Sequence, residues 1–498
     1  MEDITRRNFL LATSMTLGSS LISLARLQQQ PSSLPVRLNS SGITVLMADR
    51  SQRSDSLKEF RLGSIKRFWI ENWSRPEEYF QWTVESPEAG PYDISLLIAG
   101  GPQIEVEIAG PQISSAALLS RHGWDKVNAS TALILPKGLS KITARLRRNN
   151  EEPLKTLESK RKPNDWFDRR GSGLHLKSLE LTPAAAKSNI EKRVKALHSS
   201  AEWLAEAKYG LMFQWGDWGY PSHGDRKPWP QMINDFNVDA FAKMVEETGA
   251  GYCIWSATWR GSRFPAPIKA IDRIVPGHTT KRDLIGDLIH AFGKRNIKLL
   301  LYYHPGHEDK TWWAQNWVSI DRQERFTDNY CSLMNEVGER YGKGLSGWLI
   351  DDAMVLNYPA PFERMTKAMK AGYPERIVSY NSWILPRVTE FQDFSFGEGF
   401  DAINHWPTDR KGVFIDGPQK GQQAQFMDIL DGPDWGIWKP ETIIQPPRFT
   451  DEQIADLVKN AAVQRKALSF NLLMYEDGSV SPQSLERMRT VRKIIRGK

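Results

Sequence analysis

From about residue 200 onward one unit repeats along the chain: a short apolar run, a polar turn, an amphipathic helical stretch and another apolar run. The runs are "YGLMFQ" (209–214), "GYCIWSA" (251–257), "IKLLLYY" (297–303), "SGWLID" (346–351), "RIVSY" (376–380), "DFSFGE" (393–398), "GVFID" (412–416) and "ALSFNLLM" (467–474). Between most of them lie helical patterns such as "VDAFAKMVEETG", "KRDLIGDLIHAFGKRN" and "FTDNYCSLMNEVGERYG", the second opening on a Thr pair and closing at Asn296. Strands alternating with amphipathic helices build a parallel α/β sheet, and eight of them in about 270 residues have the size of a (β/α)8 barrel.

This repeat also says where chemistry can lie, because such barrels carry their sites at the C-terminal ends of the strands. The first polar or aromatic residues past the apolar runs are Gln214 with Trp215, Trp259 with Arg260, then His304, Asp351, Asn381 and Glu398. In "GWLIDDA" (347–353) a buried-strand pattern stops at two carboxylates. Successive strand residues face opposite sides, so Asp351 is expected to face the mouth and Asp352 to turn away. Trp215, Trp218, Trp229, Trp312 and Trp313 fall on loops near that mouth and are candidate platforms for sugar rings.

The first half reads differently. Residues 1–25 carry paired arginines in "TRRNFLL", an apolar run from Phe9 to Leu24 and a small-x-small site at Ser23-Leu24-Ala25. That is the pattern of a twin-arginine export signal; the run is shorter than the roughly 20 apolar residues a membrane span needs. The expected location is periplasmic or extracellular, with no stable membrane insertion after cleavage. Residues 43–183 hold short alternating segments such as "FQWTVESP", "YDISLLIAG", "IEVEIAG" and "LHLKSLELT" between turn signals, which suggests a β-sandwich. The expected architecture is therefore multidomain: a β-sandwich at 43–183 followed by a (β/α)8 barrel at 200–496. Trp69, Trp73 and Trp82 could bind sugar there or fill the sandwich core.

Composition removes several other classes. The formal charge is +7, yet Lys and Arg are interspersed with acids and form no long basic block, so nucleic acid is not an expected partner. The two cysteines, Cys253 and Cys331, fit no metal spacing and no disulfide scaffold. "HPGHED" (304–309) offers two His and acids but no third distant ligand, so neither a metal nor another cofactor is expected.

At the level of motifs, the second half resembles the α-L-fucosidase clan of retaining glycoside hydrolases. "WLAEAKYGLMFQWGDW" (203–218) resembles the family's entry motif, "FNVDAFAKMVEETGAGYCIWSATW" its next unit, "LLLYYH" its third strand and "GWLIDDA" the strand ending on the nucleophile. "DFSFGEG" resembles a shortened acid/base segment, and "DWGIW" with "SFNLLMYEDG" the closing segments. The resemblance implies Asp351 as nucleophile and Glu398 as acid/base, with Asp352 an alternative for the first role and Asp401, Glu390 or Asp393 for the second. A retaining pair of this kind stands about 5 to 5.5 Å apart.

Three histidines of the family pattern are replaced, by Gln214 and by Trp259 and Arg260 in "TWRG". The loss argues against unmodified L-fucose, and Arg260 could meet a carboxylate or sulfate or a loop acid. The resemblance thus implies an exo-glycosidase acting on α-L-fucoside-like or related, including anionic, terminal sugars of an oligo- or polysaccharide. The alternative is an altered or inactive barrel that only binds carbohydrate, or another sugar-processing enzyme on the same scaffold.

Overall fold

The structure, a computed structural model, describes residues 34–62, 65–100, 104–118, 123–147, 173–306, 308–317, 323–351, 360–381, 387–404, 406–417 and 419–497. The expected signal at 1–25, Asp352 and His307 lie outside the described residues. No helix among the described residues is long and apolar enough to cross a membrane.

Two sheets form the N-terminal region. One is ordered 36–37, 79–86, 138–147, 104–109, 113–118, with 52–53 beside 79–86; the other is ordered 123–128, 90–100, 174–183, 65–73, 58–62, with 133–135 and 44–47 added. Their strands alternate, and the buried set of each faces the other across one core that includes Phe80, Val84, Ile142, Leu96, Ile98 and Leu176. Trp73 and Trp82 belong to that core and Trp69 is buried as well. Their indoles fill space and offer no sugar a face.

Beyond a connecting helix at Lys187–Leu197 the chain forms eight parallel strands: β1 (Tyr209–Phe213), β2 (Tyr252–Thr258), β3 (Lys298–Tyr303), β4 (Leu345–Ile350), β5 (Ile377–Tyr380), β6 (Gly397–Glu398), β7 (Gln425–Ile429) and β8 (Ala467–Asn471). Their order is β5-β4-β3-β2-β1-β8-β7-β6, a curled sheet in barrel sequence. The seventh strand corrects the sequence reading. "GVFID" makes only isolated bridges, Thr408 to Phe414 and Val413 to Gln423, and the ladder position is taken by "QFMDI" (425–429). This strand buries a polar residue, the inward Gln425, which gives its amide N–H to Ser469 Oγ at 2.8 Å. The helix expected from the Thr pair begins later, at Leu284, with Asp283 accepting the Gly286 N–H as its cap. It does close near Asn296, whose φ of 55° is the left-handed turn Asn tolerates.

Strand parity separates two cores. Leu211, Phe213, Cys253, Trp255, Leu301, Trp348, Ile350 and Phe470 pack outward against the helices. Met212, Tyr252, Ile254, Leu300, Tyr302, Leu349, Ile377, Phe396 and Met427 fill the inside of the curl. In β4 the alternation puts Trp348 and Ile350 outside and Leu349 inside, so the next inward position is Asp351.

The two end strands meet through a side chain. No ladder joins β5 to β6; instead Asp393, just upstream of β6, gives its backbone N–H to Val378 O at 2.7 Å, and its Oδ2 accepts the Val378 N–H at 2.8 Å. Its other oxygen accepts the Ser199 N–H at 2.7 Å, and Lys370 Nζ lies 2.8 Å from Oδ2. Burial pushes the Asp393 carboxyl up and the Lys370 ammonium down, and the attraction between them opposes both shifts. Below this seam Arg376, fully buried, gives hydrogen bonds to the carbonyls of Leu345, Met369, Ala371, Gly338 and Gly342.

Lys126 ties the two regions together, with Nζ 2.7 Å from Glu180 of the N-terminal sheet and 2.6 Å from Glu390 of the parallel-sheet region. Burial would raise Glu390, but the charges of Lys126 and Arg387 outweigh it and hold the carboxyl well below its ordinary range.

Two outcomes follow from these contacts. Asp393→Ala leaves Lys370 buried without its counter-ion, though still donating to Leu197 O and Ser199 Oγ, and it should cost about 3 kcal/mol in a denaturant titration. Glu390 is depressed in the folded state, so its contribution is present above the unfolded value of 4.5 and is lost as the pH falls through the folded value. In thermal melts from pH 7 to 3, Lys126→Met should therefore lower Tm at neutrality and flatten its decline in acid.

Candidate active site

The inward positions at the C-terminal strand ends converge on one amide. Asn381, directly after β5, is fixed by its backbone N–H on Ile350 O at 2.7 Å. Its Nδ2 donates to Asp351 Oδ1 at 2.7 Å and to Glu398 Oε1 at 2.9 Å. Two legs of 2.7 and 2.9 Å meeting at one nitrogen cap the separation of those oxygens at 5.6 Å. The second oxygen of Asp351 accepts the Tyr302 hydroxyl at 2.5 Å, and its backbone N–H is held by Tyr303 O at 3.0 Å. Glu398 ends the short β6, and Gly399 turns the chain behind it at φ 96° while its N–H bonds Met427 O. Only glycine adopts that conformation without strain.

His304, buried past β3, is gripped through its backbone by Thr258 Oγ1, and its Nδ1 accepts the Gly306 N–H at 3.3 Å. That bond leaves the proton of the neutral ring on Nε2. Gln214 is buried on the inner face after β1. Trp215 is not at the mouth. Parity turns it outward among Trp229, Phe236 and Trp255, with its indole N–H on Glu476 O at 2.9 Å. Trp229 and Trp312 are core residues too, and Trp313 stacks on Trp317 at 4.5 Å against the outer core.

Of the expected platforms, Trp218 does reach the mouth. It stands 5.7 Å from Trp259 and 4.3 Å from Trp438, and Trp259 lies 4.6 Å from Trp438 and 5.8 Å from Tyr302. The guanidinium of Arg260 sits 3.8 Å from the centre of the Trp438 ring, with Nε 4.0 Å from Glu308. Its side chain remains about half exposed, and its φ of 30° is a left-handed value uncommon outside glycine. The loop acid weighed as its partner is thus Glu308, at the outer limit of an ion pair. Trp438 and Tyr302 were missed as site residues: Trp438 lies on an irregular loop without period, and Tyr302 looked like strand core.

Among the alternative acids, Asp393 belongs to the seam and Glu390 to Lys126, both remote in function from the pair. The described residues contain no group of three or more His, Cys, Asp or Glu arranged to hold a metal ion.

Residues 230–382 match the family model of Alpha-L-fucosidase. The matched segment runs through β2 to β5 and includes Asp351 and Asn381. That match is to a glycoside hydrolase family and supports a glycoside hydrolase. No curated protein matches the chain by sequence. Similar solved structures include an alpha-L-fucosidase from Bacteroides thetaiotaomicron, at 15% identity and TM-score 0.43 over 60% of this chain and 74% of that one. Alpha-L-fucosidase AlfC from Lactobacillus casei is similar at 14% identity and TM-score 0.43, over 61% and 98%. An endo-fucoidan hydrolase of glycoside hydrolase family 107 is similar at 13% identity and TM-score 0.45, over 58% and 53%.

Proposed function

We propose that this protein is an exported retaining exo-glycosidase that removes α-L-fucoside-like or related terminal sugars, including anionic ones, from oligo- or polysaccharides. The eight parallel strands then act as a (β/α)8 barrel over 200–496, the two facing sheets as a β-sandwich accessory module over 43–183, and residues 1–25 as a twin-arginine signal. The observation that carries the reading is the single Asn381 nitrogen donating to both Asp351 and Glu398. A span of at most 5.6 Å suits direct attack by one carboxylate and leaves little room for the water that an inverting pair needs between them.

In this mechanism Asp351 attacks the anomeric carbon while Glu398 gives its proton to the departing glycosidic oxygen. Glu398 then takes a proton from water, which displaces Asp351 from the sugar and regenerates both groups. Tyr302 and Asn381 donate to the two oxygens of Asp351 and favour its ionised form. Trp218, Trp259 and Trp438 supply apolar faces at the rim, and Arg260, stacked and half exposed, can meet a carboxylate or sulfate on the substrate.

Hydrolysis of aryl glycosides and oligosaccharides tests the roles. Asp351→Asn should lose several orders of magnitude in kcat. With azide, Asp351→Gly should give a product of inverted configuration, whereas Glu398→Ala should give one of retained configuration. Turnover unchanged in Asp351→Asn would end the assignment, and binding without any turnover would favour a carbohydrate-binding barrel. Tyr302→Phe should move the acidic limb of the kcat/KM profile to higher pH, because the ionised Asp351 loses a donor.

A further inference from the structure

Four buried polar side chains on the inner face of the sheet, Gln214, Ser379, Gln425 and Asn471, have an oxygen without a hydrogen-bond partner among the described residues, and two of them, Gln214 and Asn471, lie at the C-terminal ends of neighbouring strands. Gln214, after β1, is 2% exposed, and Asn471, the last residue of β8, is fully buried. Neither Gln214 Oε1 nor Asn471 Oδ1 has a hydrogen-bond partner among the described residues. A buried amide oxygen without a donor weakens a fold, so two on neighbouring strands require an account.

Their placement supplies it. β1 and β8 are paired, with Met212 opposite Asn471, and Gln214 lies two residues beyond Met212 on the same face. Met212 and Ala467 both belong to the inner core, so parity aims Gln214 and Asn471 into the curl as well. Asn471 Nδ2 is committed to Trp435 O at 3.1 Å, which fixes the amide and leaves Oδ1 on the side away from that loop. Along the sheet β1 stands three strands and β8 four strands from β4, and Gln214, Asn471 and Asp351 all belong to the inner face of the curl.

We propose that Gln214 and Asn471 recognise two free hydroxyls on the sugar held by this site, Asn471 being a specificity-determining residue. Acceptors need donors, and neutral amide oxygens suit neutral hydroxyl donors. This rests on the glycosidase reading above and deepens it. The hydroxyl-bearing edge of the ring lies at the buried side of the mouth, while charge on the substrate lies toward the exposed Arg260. A site built to bond a hydroxyl strongly rejects a sugar that lacks it.

The test uses Asn471→Leu, which keeps the size of the side chain and removes the orphan oxygen. Without sugar, this variant loses the bond to Trp435 O together with the orphan oxygen, so its Tm should stay within a few degrees of wild type; loss of the cooperative transition would mean that the amide is structural and would overturn the assignment. Binding is then read by tryptophan fluorescence with a panel of free D- and L-hexoses, their 6-deoxy and uronic forms, and ring-deoxy analogues. Wild type should bind at least one sugar and reject its matching deoxy analogue, while Asn471→Leu should bind that sugar at least about tenfold more weakly and lose the discrimination. Discrimination unchanged in the variant, or no wild-type response to any member of the panel, overturns the proposal. Binding that depends on Asn471 in a protein without hydrolysis would overturn the glycosidase reading and leave this one standing. Hydrolysis with unaltered discrimination would do the reverse.

Discussion

The parallel sheet depends on the contact between Asp393 and Val378. Between β5 and β6 there is no run of backbone pairs, and one residue supplies both halves of a ladder step, its own N–H and a carboxylate in place of a carbonyl. A carboxylate there needs charge compensation, which explains the buried Lys370 and the Ser199 N–H drawn in from the start of the domain. Asn381 and Glu398 sit on the two strands so joined. If the seam opened, the distance between them would be the first thing to change.

Much of this was readable in the sequence because strand parity is a strict rule. Apolar runs placed seven of the eight strands, and the first polar residue after β1, β4 and β5 and the last residue of β6 are the inward ones. The rule also explains the misreadings. Gln214 and Trp215 are neighbours, so they cannot both face the mouth, and the larger apolar one went to the outer core. "QFMDI" carries a polar residue, Gln425, on its inward face, and the bond to Ser469 is what places it in a core. Asn471 was hidden inside "ALSFNLLM", a mostly apolar run that continues past the strand's end at Asn471.

The aromatic rim was the least legible part. Trp218, Trp259 and Trp438 come from three separate loops and share no spacing that a linear pattern could reveal. High Trp content alone could not separate them from Trp215, Trp229 and Trp312, which are structural. What distinguishes the rim is a partner of another kind, the guanidinium of Arg260 over the Trp438 ring.

Asn381 has a consequence of its own. A carboxamide donates hydrogen bonds but carries no charge, so it can hold two carboxyl groups close without adding a charge of its own between them. A histidinium in that position would draw both groups toward the carboxylate form, whereas a neutral amide leaves their repulsion unrelieved. Two like groups a few ångströms apart resist ionising together, and the amide preserves that resistance while fixing the distance.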